Sequence, residues 1–156
     1  MKKTITIICV SLFFLSFKTD GERIQKHNPS EIIGTYMNEE MDAKVRIFMA
    51  MNDKYSGKVE WMNEPNEPDG KRKLDYNNPN KSKRDRERLG LVLLKNFTYD
   101  PTEDRWQGGT VYDPKVGRTY SGYMKFAEGS TNTLNLRGYV MGMPFLGRTA
   151  VWTRVK

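Results

Sequence analysis

Few side chains in this sequence could do chemistry, and they are scattered. His27 is the only histidine, beside Asn28 and Pro29 and ahead of the first apolar run. In that setting it reads as part of a loosely held segment, residues 22–30. A serine or cysteine nucleophile needs a histidine within hydrogen-bond reach, and no strand here offers one. A zinc site needs at least three nitrogen, sulfur or carboxylate ligands. One stray histidine and a single cysteine, Cys9, do not supply them. Carboxylates are plentiful, so composition leaves a paired-carboxylate hydrolase open. In segments that read as strands, however, Glu60 is the clearest acid, and it alternates outward from Val59 and Trp61. Asp69, Asp75, Asn77 and Asn78 offer oxygens of the kind calcium takes. Lys71, Arg72 and Lys73 interrupt them, and the spacing fits no standard calcium loop. The expectation is no catalytic residue, no metal and no cofactor.

The elements that would position any site are strands. "IIGTYMNE" is a short apolar run. "KVRIFMAM" puts Val45, Ile47, Met49 and Met51 on one face, and "KYSGKVEWM" puts Val59 and Trp61 on one face. Period two with a polar turn between reads as a hairpin. A long polar insert follows, "NEPNEPDGKRKLDYNNPNKSKRDRER", rich in turn dipeptides such as Asp69-Gly70 and Asn78-Pro79. Little regular structure is expected there beyond one helical turn near Arg84–Arg88. The pattern then resumes in "LGLVLLKNFTYD", "RWQGGTVYDP", "RTYSGYMKFA", "TLNLRGYV" and "RTAVWTRV". Trp106, Thr110 and Tyr112 share a face, as do Tyr120, Met124 and Phe126. "YDPKVGRTY" is a hairpin turn, with Asp113 capping it and Gly117 taking positive φ. No segment outside the N-terminal run shows helical apolar periodicity long enough for a core helix. Eight consecutive strands suit an all-β, up-and-down barrel that closes on itself and so removes its edges. The polar insert then lies after the third strand.

In such a barrel the last strand lies beside the first. The first carries Gly34-Thr35-Tyr36 and the last carries Trp152 and Arg154 on one face. This arrangement resembles the G-x-W opening of the lipocalins and their calycin relatives, with Tyr36 where tryptophan is usual. The resemblance implies that Arg154 lies across Tyr36 and plugs one end of the barrel, with Trp152 as a second aromatic and Arg148 as the other candidate arginine. A guanidinium over a ring contributes roughly 0.5–2 kcal/mol. A further resemblance runs through "IIGTY", "GKVEWMNEPNEPDGKRKLD", "WQGGTVYDPKVGRTYSG", "LNLRGYV" and "LGRTAVWTRV". In this order they are similar to the bacterial exported family called domain of unknown function 2147, over roughly residues 31–155. That resemblance implies a calycin-like barrel and brings no activity, substrate or catalytic residue with it.

The N-terminus predicts the compartment. "MKKTITIICVSLFFLSFKTDG" has a charged start and a short apolar core, the pattern of a secretory signal peptide. Residues 5–17 are too few to span a bilayer, which needs about 20. Cleavage is expected near Gly21, leaving one domain over residues 22–156 without cysteine. The protein is expected to be exported, periplasmic or secreted, and not membrane-spanning.

The chain carries 26 basic and 19 acidic residues, a net of +7. Without residues 1–21 it keeps 23 basic against 18 acidic, a net of +5. Residues 71–88 alone hold eight basic residues (Lys71, Arg72, Lys73, Lys81, Lys83, Arg84, Arg86 and Arg88) against three acidic ones, also +5. A nucleic-acid surface would interleave aromatics for stacking, and only Tyr76 is there, so nucleic acid is not expected. The run reads as a solvated loop, or as a patch weakly attracted to an anionic envelope surface.

Two function classes remain. One is a non-catalytic binder of a small apolar or amphipathic molecule. Its site would be the barrel interior at Val45, Ile47, Met49, Met51, Trp61, Tyr120, Met124 and Phe126, where the methionines adapt to the ligand. The alternative is an envelope interaction module that docks through the basic insert around a filled barrel. An enzyme is the least supported reading.

Overall fold

A computed structural model describes residues 26–155, and the expected signal segment lies outside them. Eight strands form one closed antiparallel barrel in up-and-down order. They are β1 (Gly34–Met37), β2 (Ala43–Met49), β3 (Tyr55–Met62), β4 (Val92–Asp100), β5 (Arg105–Asp113), β6 (Arg118–Phe126), β7 (Thr133–Val140) and β8 (Met143–Arg154). Closure comes from β1 pairing with β8, with Tyr36 opposite Arg154. The last strand starts earlier than its alternating pattern suggests, because "MPFLG" continues it toward β7.

One end of the barrel is solid. Tyr36, Ile47, Phe97, Trp106, Met124 and Leu134 are completely buried there. The Trp106 ring meets Phe126 edge-on at 5.3 Å and Tyr55 at 6.3 Å. Gly109 carries no side chain because a Cβ would collide with the Phe97 ring.

The N-terminal segment seals this end and is not loose. Asn28 caps a short 3-10 helix, Pro29–Ile32, through its side chain to the Ser30 amide. Ile32 is fully buried, and Trp106 donates its indole N–H to the Pro29 carbonyl at 3.1 Å. His27 is fastened too. Its backbone N–H and Nδ1 both lie against the Asp104 carboxylate, at 3.0 and 2.9 Å, and its ring packs on Phe126. Of the segment expected to be loose, residues 26–30 are held, and residues 22–25 lie outside the described residues.

The register slips in several strand pairs, and two of the bulges overturn faces expected from alternation. Between β2 and β3 the register runs from Lys44↔Trp61 to Val45↔Val59, so Glu60 is extra. Val59 stays inside, and Trp61 turns out beneath the Lys44 ammonium, 5.0 Å from its ring centre. In β5 the register slips between Trp106 and Gly109, where Gly108 has φ +75°. Trp106 and Val111 therefore face inward, in place of Trp106, Thr110 and Tyr112. A single inserted residue moves every later side chain to the other face.

The insert between β3 and β4 has little regular structure, as expected. Its one helical turn is at Lys81–Lys83, ahead of the expected position. Two isolated bridges, Asn66↔Arg72 and Leu74↔Glu87, fold it back on itself. Its centre is Asp75, fully buried, which accepts from Tyr112 at 2.5 Å, Asn78 at 2.7 Å and Arg86 at 2.9 Å. Burial and the Asp75 carboxylate push the Tyr112 hydroxyl up to about 12. The insert is pinned to the β5–β6 turn by Asn77 donating to the Lys115 carbonyl at 2.7 Å. Gly117, at φ +68°, lies so close to the Asn77 carbonyl that a Cβ would overlap it.

Candidate functional site

The two ends of the barrel differ in kind. At the solid end Arg154 forms a clasp. Its guanidinium carbon lies 4.8 Å from the Tyr36 ring centre and 5.9 Å from that of Phe126. The second aromatic is thus Phe126; Trp152 points further up the interior. The guanidinium donates to the carbonyls of Thr131 at 3.1 Å, Ile33 at 3.0 Å and Glu31, and to the Tyr36 hydroxyl at 2.5 Å. Tyr36 in turn donates to the Ile32 carbonyl at 2.9 Å. Burial pushes the Tyr36 hydroxyl up to about 12, and the neighbouring Arg154 opposes that shift. Gly34 is required here because a Cβ would run into the Arg154 guanidinium.

Beside the clasp sits the group of His27, Asp104 and Tyr99. Tyr99 donates to Asp104 at 2.7 Å. Burial alone would raise the Asp104 carboxyl, but the hydrogen bonds from Tyr99 and His27 outweigh it and hold the carboxyl below its ordinary value. The group ties the N-terminal segment to the turn between β4 and β5.

The other end is hollow. A cavity of about 240 Å³ reaches down from the open mouth into the barrel. Its walls are Val59, Leu94, Val111, Leu136 and Ala150, and Trp152 lines it as well. These residues share the inward face because their strands pair Leu94 with Val111 and Leu136 with Ala150. Ala150, two residues before Trp152 on the same face of β8, leaves room that a larger side chain there would fill.

The rim is charged. The β1–β2 loop brings Glu39, Glu40 and Asp42 to the mouth, and each is tied across it. Lys115 pairs with Glu40 and, at 2.9 Å, with Asp42. Arg148 pairs with Glu39 at 2.5 Å. Burial would raise the Asp42 carboxyl, but hydrogen bonds from Lys115 and Asn38 hold it below its ordinary value. The Glu40 hydrogen bond raises the Lys115 ammonium, partly offset by burial. Asn38 fastens the loop internally through its own bonds to Asp42 and the Ala43 amide. The arrangement is an apolar pocket with paired charges at its entrance. It suits a molecule with an apolar body and a polar end.

None of the side chains expected to meet a ligand lines this cavity. Val45, Ile47, Met124 and Phe126 are interior but belong to the solid end. Tyr120 faces inward opposite Val111 and is half-buried. Met49 is 44% exposed at the end of β2, and Met51 lies beyond the strand in the turn, fully exposed. Met49 is the last paired residue of β2, at the rim, and alternation extrapolated past it carried Met51 onto a face that has already ended. Trp61 faces out because of the Glu60 bulge. The acidic loop after β1 was the one visible sign of the mouth, and nothing in the strand pattern marks the residues that line the cavity.

The basic run is only partly a free surface. Arg84 donates to the Asn78 carbonyl at 2.8 Å, Arg88 to that of Leu74 at 2.9 Å, and Arg86 to Asp75. Lys71, Arg72 and Lys73 pair with Asp69, Glu87 and Glu64. Lys81 and Lys83 alone in the run have no side-chain partner among the described residues.

The family model described as "Uncharacterized protein conserved in bacteria (DUF2147)" matches residues 34–154. The chain belongs to that family. Its matched span begins with β1 and ends with the clasp arginine. Among solved structures, protein HP1028 from the human pathogen Helicobacter pylori, described as belonging to the lipocalin family, is similar. The TM-score is 0.66 at 24% identity, covering 80% of this chain and 83% of that one. The likeness shows a lipocalin-like fold for this member of the family. No curated protein matches the chain.

Proposed function

We propose that this protein is an exported, non-catalytic binder of a small molecule with an apolar or amphipathic body, held in the mouth of the barrel. The observation that carries the reading is the apolar-walled cavity of about 240 Å³ beneath a charged rim. Small-molecule pockets start at roughly 300 Å³, so the ligand is small, or only its apolar part is enclosed. The lipocalin-like fold supports the same reading. His27 is engaged at the far end by Asp104, remote from the cavity, which favours binding over catalysis. Export rests on the signal-peptide pattern of residues 1–21.

Native mass spectrometry of the protein purified from its own envelope tests the reading directly. A co-purifying small molecule is expected, lost in Ala150→Phe, which fills the cavity, while the barrel still melts cooperatively. Ligand-free protein under gentle conditions, or equal retention by Ala150→Phe, would count against a mouth site. Intact mass of the exported protein is expected to lack about the first 21 residues; a retained N-terminus would remove the export claim.

A further inference from the structure

One cation at the mouth has no carboxylate to answer it. Lys115 and Arg148 line the cavity and are taken by Glu40, Asp42 and Glu39. Arg88 lines it too, half-buried, and donates only to carbonyls. Its Nε reaches that of Leu74 at 2.9 Å, and one Nη reaches that of Pro114 at 3.4 Å. The other Nη has no partner among the described residues. Leu74 belongs to the insert and Pro114 to the β5–β6 turn, so two separate pieces of chain hold the guanidinium in place. The backbone after Arg88 runs along an apolar wall of the cavity. Gly90 donates to the Val59 carbonyl at 2.8 Å, and Val59 donates to that of Leu91 at 3.0 Å.

The sign of a ligand's polar end follows from these contacts. The cavity lining carries four acids against three cations, so net charge alone would favour a cationic head. The rim pairs, however, have side chains 38–73% exposed, and water and salt screen them. Asp113, the acid outside those pairs, accepts from the Lys115 amide at 2.8 Å and caps its turn. A cationic head would have to displace Lys115 or Arg148 from the rim acids. An anionic head meets open donors on Arg88 and breaks no existing pair. A guanidinium presents its N–H groups in a fork that matches the two oxygens of a carboxylate. One unanswered positive charge suits one negative charge, and the acids nearby oppose a dianionic head.

We propose that the ligand is an apolar chain ending in a carboxylate. Arg88 receives the carboxylate, and the chain lies among Leu94, Val111, Leu136 and Trp152. This rests on the reading of the mouth as a binding site. It adds the charge of the head and the residue that selects it.

The test is calorimetric titration of the purified protein with octanoate, octanol and octylammonium near pH 7, where the carboxyl is ionised. The three probes share one chain, so only the head differs. Octanoate is expected to bind about tenfold more tightly than octanol, and octylammonium more weakly than either. Added salt should narrow the octanoate preference. Arg88→Met keeps an unbranched stem and removes the charge. In it octanoate should fall to the level of octanol, with octanol itself unchanged. Arg88→Lys restores the charge and should recover part of the preference, which a merely structural role would not do. If Arg88→Met does not fold, the wild-type ranking and Arg88→Lys still decide. Octanol equal to octanoate, or octylammonium tightest of the three, overturns the proposal and leaves the mouth site standing. So does an octanoate preference that persists in a folded Arg88→Met. Binding of none of the three to wild type removes the carboxylate and the mouth site together.

Discussion

Arg154 concentrates more interactions than any other single side chain described here. It covers the Tyr36 ring and ties three carbonyls from two loops to the end of β8. Arg154→Ala removes the cation–π contact and leaves those carbonyls without their donor, for an expected loss of about 1–3 kcal/mol. Tyr36→Ala should cost at least as much, because it also leaves a cavity in the solid end. The double variant should cost less than the two losses together, since each single change already breaks the shared contact. Chemical-denaturation midpoints of the four proteins check this. Strictly additive losses would mean that the two side chains act independently.

At the scale of elements, the insert and the mouth loop behave as braced pieces. Asp75 is the insert's buried hub, so Asp75→Ala leaves Tyr112, Asn78 and Arg86 without their acceptor. A loss of about 2–4 kcal/mol is expected. Lys81→Ser with Lys83→Ser should change stability by no more than about 0.5 kcal/mol. Thermal melts that ranked the two alike would show the insert to be a passive loop.

The mouth latch has a pH window set by its two shifted groups. Asp42 sits below its ordinary value of 3.8, so its contribution is full above that pH and lost as pH falls through the lower folded value. Lys115 sits above its ordinary 10.5, so its contribution is full below that pH and lost as pH rises through the higher folded value. Amide exchange in residues 38–42, corrected for intrinsic rate, should therefore stay flat from about pH 5 to 9 and increase only beyond those limits. A rise near pH 6–7 would point to another group.

For the molecule as a whole, the N-terminal plug decides whether the barrel has one open end or two. Removing residues 26–32 deletes a fully buried isoleucine, the indole contact to Pro29 and the His27–Asp104 pair. A loss of about 3–6 kcal/mol is expected from the apolar area and the orphaned donors and acceptors. Binding of a solvatochromic dye should also appear at a second site, between Trp106 and Phe126. An unchanged midpoint would mean that the plug is a passive tail.

The barrel itself was legible from the chain. Alternation in eight runs, turn chemistry between them and the absence of a core helix specify strand number, order and closure, because burial of one face is written residue by residue. The Gly34–Tyr36 and Arg154 clasp was legible as well, through its resemblance to the calycin opening. The lining of the cavity was not. Which interior residues pack solid and which border space depends on the summed volumes of eight strands at one height in the barrel, and no local pattern records that sum. The bulges at Glu60 and Gly108 reverse the alternation without changing its appearance, so Trp61 reads as core and lies outside. The basic run likewise looks free until the fold supplies Asp75, Glu64, Glu87 and the backbone carbonyls that occupy most of it. Partners for long, flexible cations are chosen by tertiary proximity, and sequence separation says nothing about which ones they will be.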